Sequence, residues 1–443
     1  MTQFDKRNIS MMMDLYEMTM ANGYFANQQK TQKVVFDVFY RKNPDQGGYA
    51  VFAGLEQVVE YAENLHFDSA DMDYFRSLNL FSEEFLQYLK EFRFTGDIYA
   101  FPEGTVMYPN EPVITVVAPL IDAQLIETAI LTQVNHQSLI ATKASRIVRA
   151  AQGRSVSDFG ARRAHSWVMY FKDEYEAFRR YAEVYPDNVV LLVDTYDVLH
   201  SGVPNAIRVA KEVLEPMNRR LKGVRLDSGD LAYLSKKVRK MLDDAGLEDC
   251  KIVVSNSLDE YTITSILNQG GKINSFGVGE RLITAKSNPV FGAVYKISAV
   301  EEDGSFVPRI KVSETVEKIT NPGLKQVYRV FGDCGQAVAD LITGAEEVDL
   351  TNPYRYVDPE KPWKNRHFEN CTAKKLQKLI VKNCRRIAPV QSLKEIRAYV
   401  KRQLDTEIWP EEQRFENPHK HYLDMSPAYY EMKMNLLDEA RNL

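Results

Sequence analysis

Short apolar runs alternate with amphipathic stretches along the middle of the chain, between residues 155 and 278. Apolar runs of this length predict buried strands, and the stretches between them have the spacing of helices. The predicted strands are Ser155–Phe159, Val189–Asp194, Lys222–Leu226, Cys250–Ser255 and Ile273–Val278, and the predicted helices are Glu174–Glu183, Val203–Glu215, Asp230–Gly246 and Leu258–Asn268. Strands and helices that alternate in this way form parallel βα units, so the pattern predicts an α/β fold.

Polar residues, glycines or arginines follow each predicted strand of this series. They are Gly160–Arg163, Asp194-Thr195, Asp227–Asp230, Ser255-Asn256 and Gly277–Gly279. Because parallel strands present their C-terminal ends to one edge of the sheet, these groups are expected to converge on a single site. This layout is typical of an enzyme.

The pattern differs on either side of this region. Towards the N-terminus it predicts strands and helices that form an α+β sandwich, and towards the C-terminus it predicts strands, a hairpin and a helix. The main predicted elements are helices Ile9–Asn22, Ser69–Phe94, Gln124–Ala151 and Ser392–Leu404, strands Lys33–Tyr40, Asp97–Phe101, Val106–Tyr108, Val113–Val117 and Ile310–Lys318, and the hairpin Gln326–Phe331 with Ala337–Ile342. We therefore divide the chain into residues 1–122, 123–300 and 301–443, and the last region completes or flanks the sandwich.

Composition narrows the function classes. Of 443 residues, 44% are hydrophobic and 26% charged, as in an ordinary globular protein. A formal net charge of −5 and an isoelectric point near 5.9 argue against a general nucleic-acid binder. No apolar run approaches the roughly 20 residues of a membrane span, and the four cysteines lack zinc-site or disulfide-framework spacing. We expect a cytoplasmic protein without a nucleic-acid or membrane partner.

Several residues carry candidate chemistry, and each also has a structural interpretation. Arg162 and Arg163 suit a carboxylate or phosphate, since each guanidinium binds two oxygens, although many such pairs are merely solvated. His165, between a strand and a helix, suits a general base, a nucleophile or a phosphoryl acceptor, or else a structural role.

Other charged residues favour structural roles. Lys143, Arg146 and Arg149 are interpreted as complementing the negative end of a helix dipole. Asp227–Asp230 can cap the following helix as well as bind a ligand. His419 and His421 are predicted to lie in a solvated loop rather than to bind a metal.

Long motifs identify a resemblance that spans roughly residues 10 to 300. In their order along the chain they closely resemble the nicotinate phosphoribosyltransferase family, and they include DLYEMTMANGYF, FPEGTVMYPNEPV, DFGARR, AHSW, LLVDTYDVLHSGVPNAI, GVRLDSGD, VVSNSLDE and FGVGERLIT. The resemblance implies transfer of phosphoribosyl from 5-phosphoribosyl 1-diphosphate (PRPP) to nicotinate, with Mg²⁺ and with ATP consumed through a phosphorylated histidine. It also implies a sandwich domain, an irregular TIM-like α/β barrel and a homodimer with a shared active site.

The resemblance assigns roles to individual residues. His165 would be the phosphorylated histidine, and Asp227 would orient the ribose or His165. Tyr16 would stack on the pyridine ring from the partner subunit, and Arg162 or Arg163 would hold the nicotinate carboxylate. The remaining implied contacts to PRPP are Asp194, Thr195, Arg225, Ser228, Asp230, Ser255, Asn256, Gly277, Gly279 and Thr284. Asp227 and Asp230 are the candidates for binding Mg²⁺.

One departure from the family pattern lies between Arg163 and Ala164. These residues adjoin here, whereas relatives carry several tens of residues between the two motifs, including a strand and a glycine-rich segment. We favour a segment missing from the printed chain over a natural deletion, because a deletion would remove a barrel strand. The gap keeps open a barrel that binds a phosphorylated metabolite without turnover, and the pyridine substrate could also be nicotinamide or quinolinate.

Overall fold

The computed structural model describes residues 8–159, 173–344, 348 and 354–441. The chain forms two compact units, which are residues 1–142 with 290–443, and residues 143–289. Among the described residues, no helix combines the length and apolar character needed to cross a membrane. The division at residues 122 and 300 that the sequence suggests stays a prediction.

Thirteen helices and twenty strands make up the described chain. The helices are α1 (Leu15–Ala26), α2 (Leu55–Asn64), α3 (Ser69–Ser77), α4 (Glu83–Glu91), α5 (Leu120–Gln124), α6 (Glu127–Ala150), α7 (Glu174–Val184), α8 (Val203–Val209), α9 (Leu231–Asp244), α10 (Glu260–Asn268), α11 (Glu280–Ile283), α12 (Leu393–Arg402) and α13 (Pro427–Arg441). The strands are β1 (Lys33–Tyr40), β2 (Ala50–Val51), β3 (Asp97–Ala100), β4 (Val106–Met107), β5 (Ile114–Pro119), β6 (Ser155–Asp158), β7 (Val190–Leu192), β8 (Gly223–Leu226), β9 (Lys251–Val254), β10 (Ser275–Val278), β11 (Ala293–Glu302), β12 (Ser305–Pro308), β13 (Gln326–Phe331), β14 (Ala337–Thr343), β15 (Tyr354–Val357), β16 (Asn365–Phe368), β17 (Thr372–Lys375), β18 (Lys378–Lys382), β19 (Arg385–Arg386) and β20 (Leu423–Met425).

The first unit is built on two large sheets. Seven antiparallel strands have the order β12-β11-β1-β5-β3-β18-β19, and six strands have the order β16-β15-β20-β14-β13-β17. Apart from its first residue, β1 is buried throughout, as expected for a strand between two neighbours. The C-terminal strands β18 and β19 extend the N-terminal sheet through pairing with β3.

Two predictions for the first unit are confirmed and one is wrong. Lys33–Tyr40 is a strand, and β13 and β14 form the predicted hairpin. Ile310–Lys318 is not a strand, because the chain reverses at Asp303 and Gly304, whose φ angles are 50° and 80°. The returning strand β12 ends at Pro308, which has no N–H to continue the ladder, and a short 3₁₀ turn follows at Val316–Lys318.

His421 also departs from the prediction of a solvated loop. Its side chain is buried, and its ring stacks on Tyr108 with 3.8 Å between the ring centroids. Its Nδ1 lies 2.9 Å from Oε1 of Glu412. Burial opposes the charged ring, but Asp340 and Glu412 outweigh it and raise the pKa of His421. His419, by contrast, is exposed.

The second unit contains a five-stranded parallel sheet in the order β6-β10-β9-β8-β7. The predicted α/β pattern is therefore confirmed, and each predicted strand of the series is present. The interior residues Val224, Leu226, Ile252, Val254 and Phe276 are fully buried. Among the described residues β6 and β7 form the two edges of this sheet, so closure into a barrel stays a prediction.

Gly202 permits a close approach between a helix and the strand end after β7. A Cβ added at Gly202 would lie 1.8 Å from the carbonyl oxygen of Val193. We expect Gly202→Ala to lower the free energy of unfolding by about 2 kcal/mol, because backbone must move to accept the methyl group. Gly23→Ala in α1, where nothing lies within 4 Å of the added Cβ, is the control and should not destabilise. Equal urea midpoints for both variants would contradict this packing.

Candidate active site

The ends of β8 and β9 bring three polar side chains into direct contact. Nε of Arg225 donates to Oγ of Ser255 at 2.8 Å, and Nη2 donates to Oδ1 of Asp227 at 2.9 Å. The Ser255 hydroxyl donates to the same Asp227 oxygen. Arg225 stands in β8 between Leu192 of β7 and Val253 of β9, which places the group centrally along the edge.

Asp194 ties the end of β7 to the turn that follows β8. Its Oδ2 accepts hydrogen bonds from the Asp227 amide at 2.8 Å and from the Ser228 hydroxyl at 2.7 Å. Beside it, the Thr195 hydroxyl oxygen is buried, with no hydrogen-bond partner in the described part of the chain. Such an atom is costly unless a ligand or water satisfies it. The structure therefore brings Asp194, Thr195, Ser228 and the Arg225 group to one edge.

Phe159 is a member of this site that the sequence did not single out. Its ring lies 4.9 Å from the Arg225 guanidinium and covers Gly277. A Cβ at Gly277 would lie 2.2 Å from that ring, so a glycine is needed there. The pairing of β6 with β10, which puts Phe159 next to Gly277, was the signal that could have identified it.

The turn after β9 has an uncommon backbone. Asn256 and Ser257 have φ angles of 89° and 50°, in a region that residues with a Cβ seldom occupy. Ser255 is buried and Asn256 exposed, so the turn points an amide to the surface directly after the Asp227 contact. Strained turns of this kind cluster at functional sites.

Three of the predicted residues have local partners instead. Asp230 caps α9, with its Oδ1 accepting the Tyr233 amide at 2.9 Å. Gly279 precedes the short helix α11, and the Thr284 hydroxyl donates to the carbonyl oxygen of Glu280 at 2.7 Å. The cap interpretation of Asp230 is therefore correct, and binding of a ligand by the same turn stays a prediction.

Two cations at the end of α6 are not dipole partners exposed to solvent, as the sequence suggested. Lys143 and Arg146 are buried, and both pair with Oε1 of Glu260, at 3.0 and 2.8 Å. Lys143 also donates to the Ser287 hydroxyl at 2.8 Å. A buried carboxylate requires this compensation, so these residues hold α6 and α10 of the second unit together. Arg149 is exposed, in agreement with the prediction.

The remaining predicted residues lie elsewhere. Tyr16 belongs to the first unit and is 44% exposed on α1, next to exposed Leu15 and close to exposed Met20. Partial burial and the neighbouring Glu127 carboxylate raise the pKa of the Tyr16 phenol. Arg162, Arg163 and His165 lie outside the described residues.

Comparison with known proteins identifies the family. Models of the N-terminal and C-terminal domains of nicotinate phosphoribosyltransferase match residues 11–135 and 324–433. The chain is 40% identical to nicotinate phosphoribosyltransferase of Bacillus subtilis (strain 168) over 480 aligned positions, which cover 99% of this chain and 97% of that protein. The chain belongs to the nicotinate phosphoribosyltransferase family.

Solved structures support this membership of the nicotinate phosphoribosyltransferase family. The crystal structure of human nicotinic acid phosphoribosyltransferase matches with a TM-score of 0.82 and 26% identity, over 96% of this chain and 99% of that one. A nicotinate-nucleotide pyrophosphorylase from Pyrococcus furiosus matches with a TM-score of 0.67 and 22% identity, over 92% and 99%. The second match shows a shared fold alone.

The chain is shorter than its Bacillus subtilis relative in the nicotinate phosphoribosyltransferase family. Their alignment has 480 positions and this chain has 443 residues, so at least 37 positions lack a residue here. The junction of Arg163 and Ala164, where the sequence predicts the gap, lies outside the described residues.

Proposed function

We propose that this chain transfers phosphoribosyl from PRPP to nicotinate, giving nicotinate mononucleotide and diphosphate for NAD biosynthesis. The pyridine nitrogen forms a bond to the anomeric carbon, and the bond from that carbon to the diphosphate oxygen breaks. Family membership at 40% identity supports the reaction. The contact of Arg225, Asp227 and Ser255 at the strand ends is the observation that carries the assignment of the site.

The strand-end residues would catalyse this reaction by orientation and charge. Arg225 and the Asp194–Ser228 contact present fixed donors and acceptors, which cost no reorganisation when charge develops in the transition state. Asp227, already held by Arg225 and Ser255, would orient the ribose or His165. The tight turns at Gly277 and Gly279 would let backbone N–H groups approach the 5-phosphate.

The donor set fits Mg²⁺ that enters with its substrate. Mg²⁺ keeps several waters and binds through one or two carboxylates together with substrate phosphates. Within the described ranges, no group of three or more His, Cys, Asp or Glu residues is placed to hold a metal. Asp227 or Asp230 would hold the ion against the diphosphate of PRPP, whose departing charge bound Mg²⁺ neutralises.

Coupling to ATP rests on the AHSW motif and its His165. In this step the γ-phosphoryl group of ATP moves to a ring nitrogen of His165 and ADP leaves. Water later hydrolyses the phosphohistidine, which releases phosphate and restores the ring. The added negative charge would favour one ligand state and its loss the next, so ATP would drive the cycle towards product.

Substrate recognition would involve two subunits. Exposed Tyr16 on α1 would stack on the pyridine ring of the partner's site, and the exposed neighbours Leu15 and Met20 would lie in the dimer contact. Arg162 or Arg163 would bind the nicotinate carboxylate, which favours an acid over an amide.

A second candidate function is binding of a phosphorylated metabolite without turnover. It is favoured by the 37 or more aligned positions of the Bacillus subtilis protein that have no residue in this chain. Such a protein would retain the Arg225–Asp227 contact and bind PRPP but would form no nucleotide.

Replacing His165 by alanine tests the proposed function and its coupling to ATP. We expect wild-type protein to form nicotinate mononucleotide from PRPP and nicotinate at a rate that ATP strongly increases, and His165→Ala to lose that increase. Initial rates with and without ATP measure this. A variant with full stimulation would show that His165 is structural, and no nucleotide from wild type under either condition would favour the non-catalytic function.

A further inference from the structure

Residues 370–402 are strongly cationic, although the whole chain has a formal net charge of −5. This segment contains ten lysines and arginines and a single acidic residue, Glu395. Arg386 is half-buried and pairs with Glu56 through hydrogen bonds of 2.8 and 2.9 Å. The other nine side chains are exposed and form what we call the cationic face: Lys374, Lys375, Lys378, Lys382, Arg385, Lys394, Arg397, Lys401 and Arg402.

The elements that carry this face lie against one another in the first unit. The Lys374 ammonium and the Arg402 guanidinium approach the Tyr399 ring, at 5.6 and 5.1 Å from its centroid, which places β17 beside α12. Lys378 of β18 and Leu393 of α12 line one cavity. The cations therefore belong to one continuous surface rather than to separate loops.

Most of this charge has no nearby acid. Lys401 pairs with Asp405, and Arg402 approaches Glu407 at 3.6 Å. The other seven cations make no ion pair with any residue in the ranges that the structure describes. On α12, Lys394, Arg397 and Lys401 follow a spacing of three and four residues, which aligns them along one side of the helix. A surface of this kind attracts a polyanion.

Exposed aliphatic side chains indicate which polyanion fits. Ile387, Val390 and Leu393 are 56%, 63% and 79% exposed within seven residues. The sole aromatic residue of the segment, Tyr399, is half-buried beneath Lys374 and Arg402. Proteins that bind single-stranded nucleic acid present exposed aromatic rings to the bases, whereas aliphatic side chains flanked by cations are typical of surfaces that rest on anionic lipid.

We propose that the cationic face docks on the surface of an anionic lipid bilayer. Its lysines and arginines lie against the anionic headgroups, and Val390 and Leu393 enter the interface between them. This peripheral contact requires no membrane-spanning segment. It revises the expectation, drawn from the absence of a long apolar run, that the protein has no membrane partner.

Co-sedimentation of the full chain with lipid vesicles tests the proposal. At low ionic strength we expect at least about tenfold stronger binding to mixed phosphatidylglycerol–phosphatidylcholine vesicles than to pure phosphatidylcholine. The triple variant Lys378→Glu, Lys382→Glu, Arg397→Glu should lose at least about tenfold. The matched triple variant Lys42→Glu, Lys90→Glu, Lys272→Glu, at exposed lysines elsewhere, should bind as wild type does.

A second variant separates lipid from other polyanions. Val390→Ser with Leu393→Ser keeps every charge and should still weaken vesicle binding. Equal binding to both vesicle types, no binding at all, or equal losses in the two charge-reversal variants would overturn the proposal. So would unchanged vesicle binding by the serine variant together with binding to poly(U) RNA that only the reversal of the cationic face removes, since this would assign the face to nucleic acid.

Discussion

Asp227→Asn is expected to lower kcat for nucleotide formation by about 10²- to 10³-fold, with little change in the free energy of unfolding. Asparagine keeps the shape of the side chain and one acceptor oxygen but removes the charge that Arg225 and Ser255 now hold in place. The carboxylate would then no longer stabilise positive charge on the ribose or on His165. Steady-state rates with saturating PRPP and nicotinate measure the loss.

Asp243→Asn is a closely matched control for this prediction. Asp243 pairs with Arg239 at 2.8 Å and is 46% exposed, and Asp227 pairs with Arg225 at 2.9 Å and is 43% exposed. Asp243 lies at the end of α9, away from the strand ends, so its variant should keep full activity. If Asp227→Asn retained activity within about threefold of this control, the strand-end site would not be organised around Asp227.

Arg329→Met is expected to lower the free energy of unfolding by about 3–5 kcal/mol. The fully buried guanidinium donates to both oxygens of Asp340, at 2.9 and 2.7 Å, and to the carbonyl oxygen of Val106 at 2.9 Å. Its removal leaves the Asp340 carboxylate buried, close to Glu111, whose pKa burial and Asp340 already raise well above the usual range. Urea unfolding of the variant measures the loss.

An exposed arginine provides the control for this loss. Arg76 pairs with Asp73 and Glu83 on the surface, so Arg76→Met should leave the unfolding midpoint nearly unchanged. The double variant Arg329→Met, Asp340→Leu should recover part of the stability, because it no longer buries an uncompensated charge. Similar midpoints for Arg329→Met and Arg76→Met would contradict the stabilising role of the buried pair.

The parallel sheet and its functional edge were predictable because their signals are local. Each strand of the second unit is a short apolar run, and the residue after it is polar or a glycine, so Asp194, Asp227 and Ser255 could be placed at one edge before any contact was known. What the periodicity could not give was the hydrogen bonding among them. That depends on the register of β7, β8 and β9, which is fixed by packing between distant segments.

Long-range contacts account for the main errors. Lys143 and Arg146 match the pattern of helix-end cations, and their partner Glu260 lies on another helix more than a hundred residues away in the sequence. The burial of His421 follows in the same way from Tyr108 and Glu412. No local pattern distinguishes these residues from solvated ones, because the difference arises from tertiary packing.

In the C-terminal region the local signal itself is weak. All four residues of β17 are exposed, so this strand has no apolar alternation to reveal it and is defined by its pairing with β13. Ile310–Lys318 shows the reverse case, since its alternating residues lie after Pro308 has ended the ladder. Strand prediction fails where pairing and not burial decides the backbone.

Nucleotide formation from PRPP with nicotinate, nicotinamide or quinolinate, each supplied separately with ATP and Mg²⁺, is the most direct test of the proposed function. Chromatography of the mononucleotide product distinguishes the three reactions. We expect nucleotide from nicotinate alone. Preferred turnover of nicotinamide or quinolinate, or no product from any of the three, would contradict the assignment of this chain as an enzyme that acts on nicotinate.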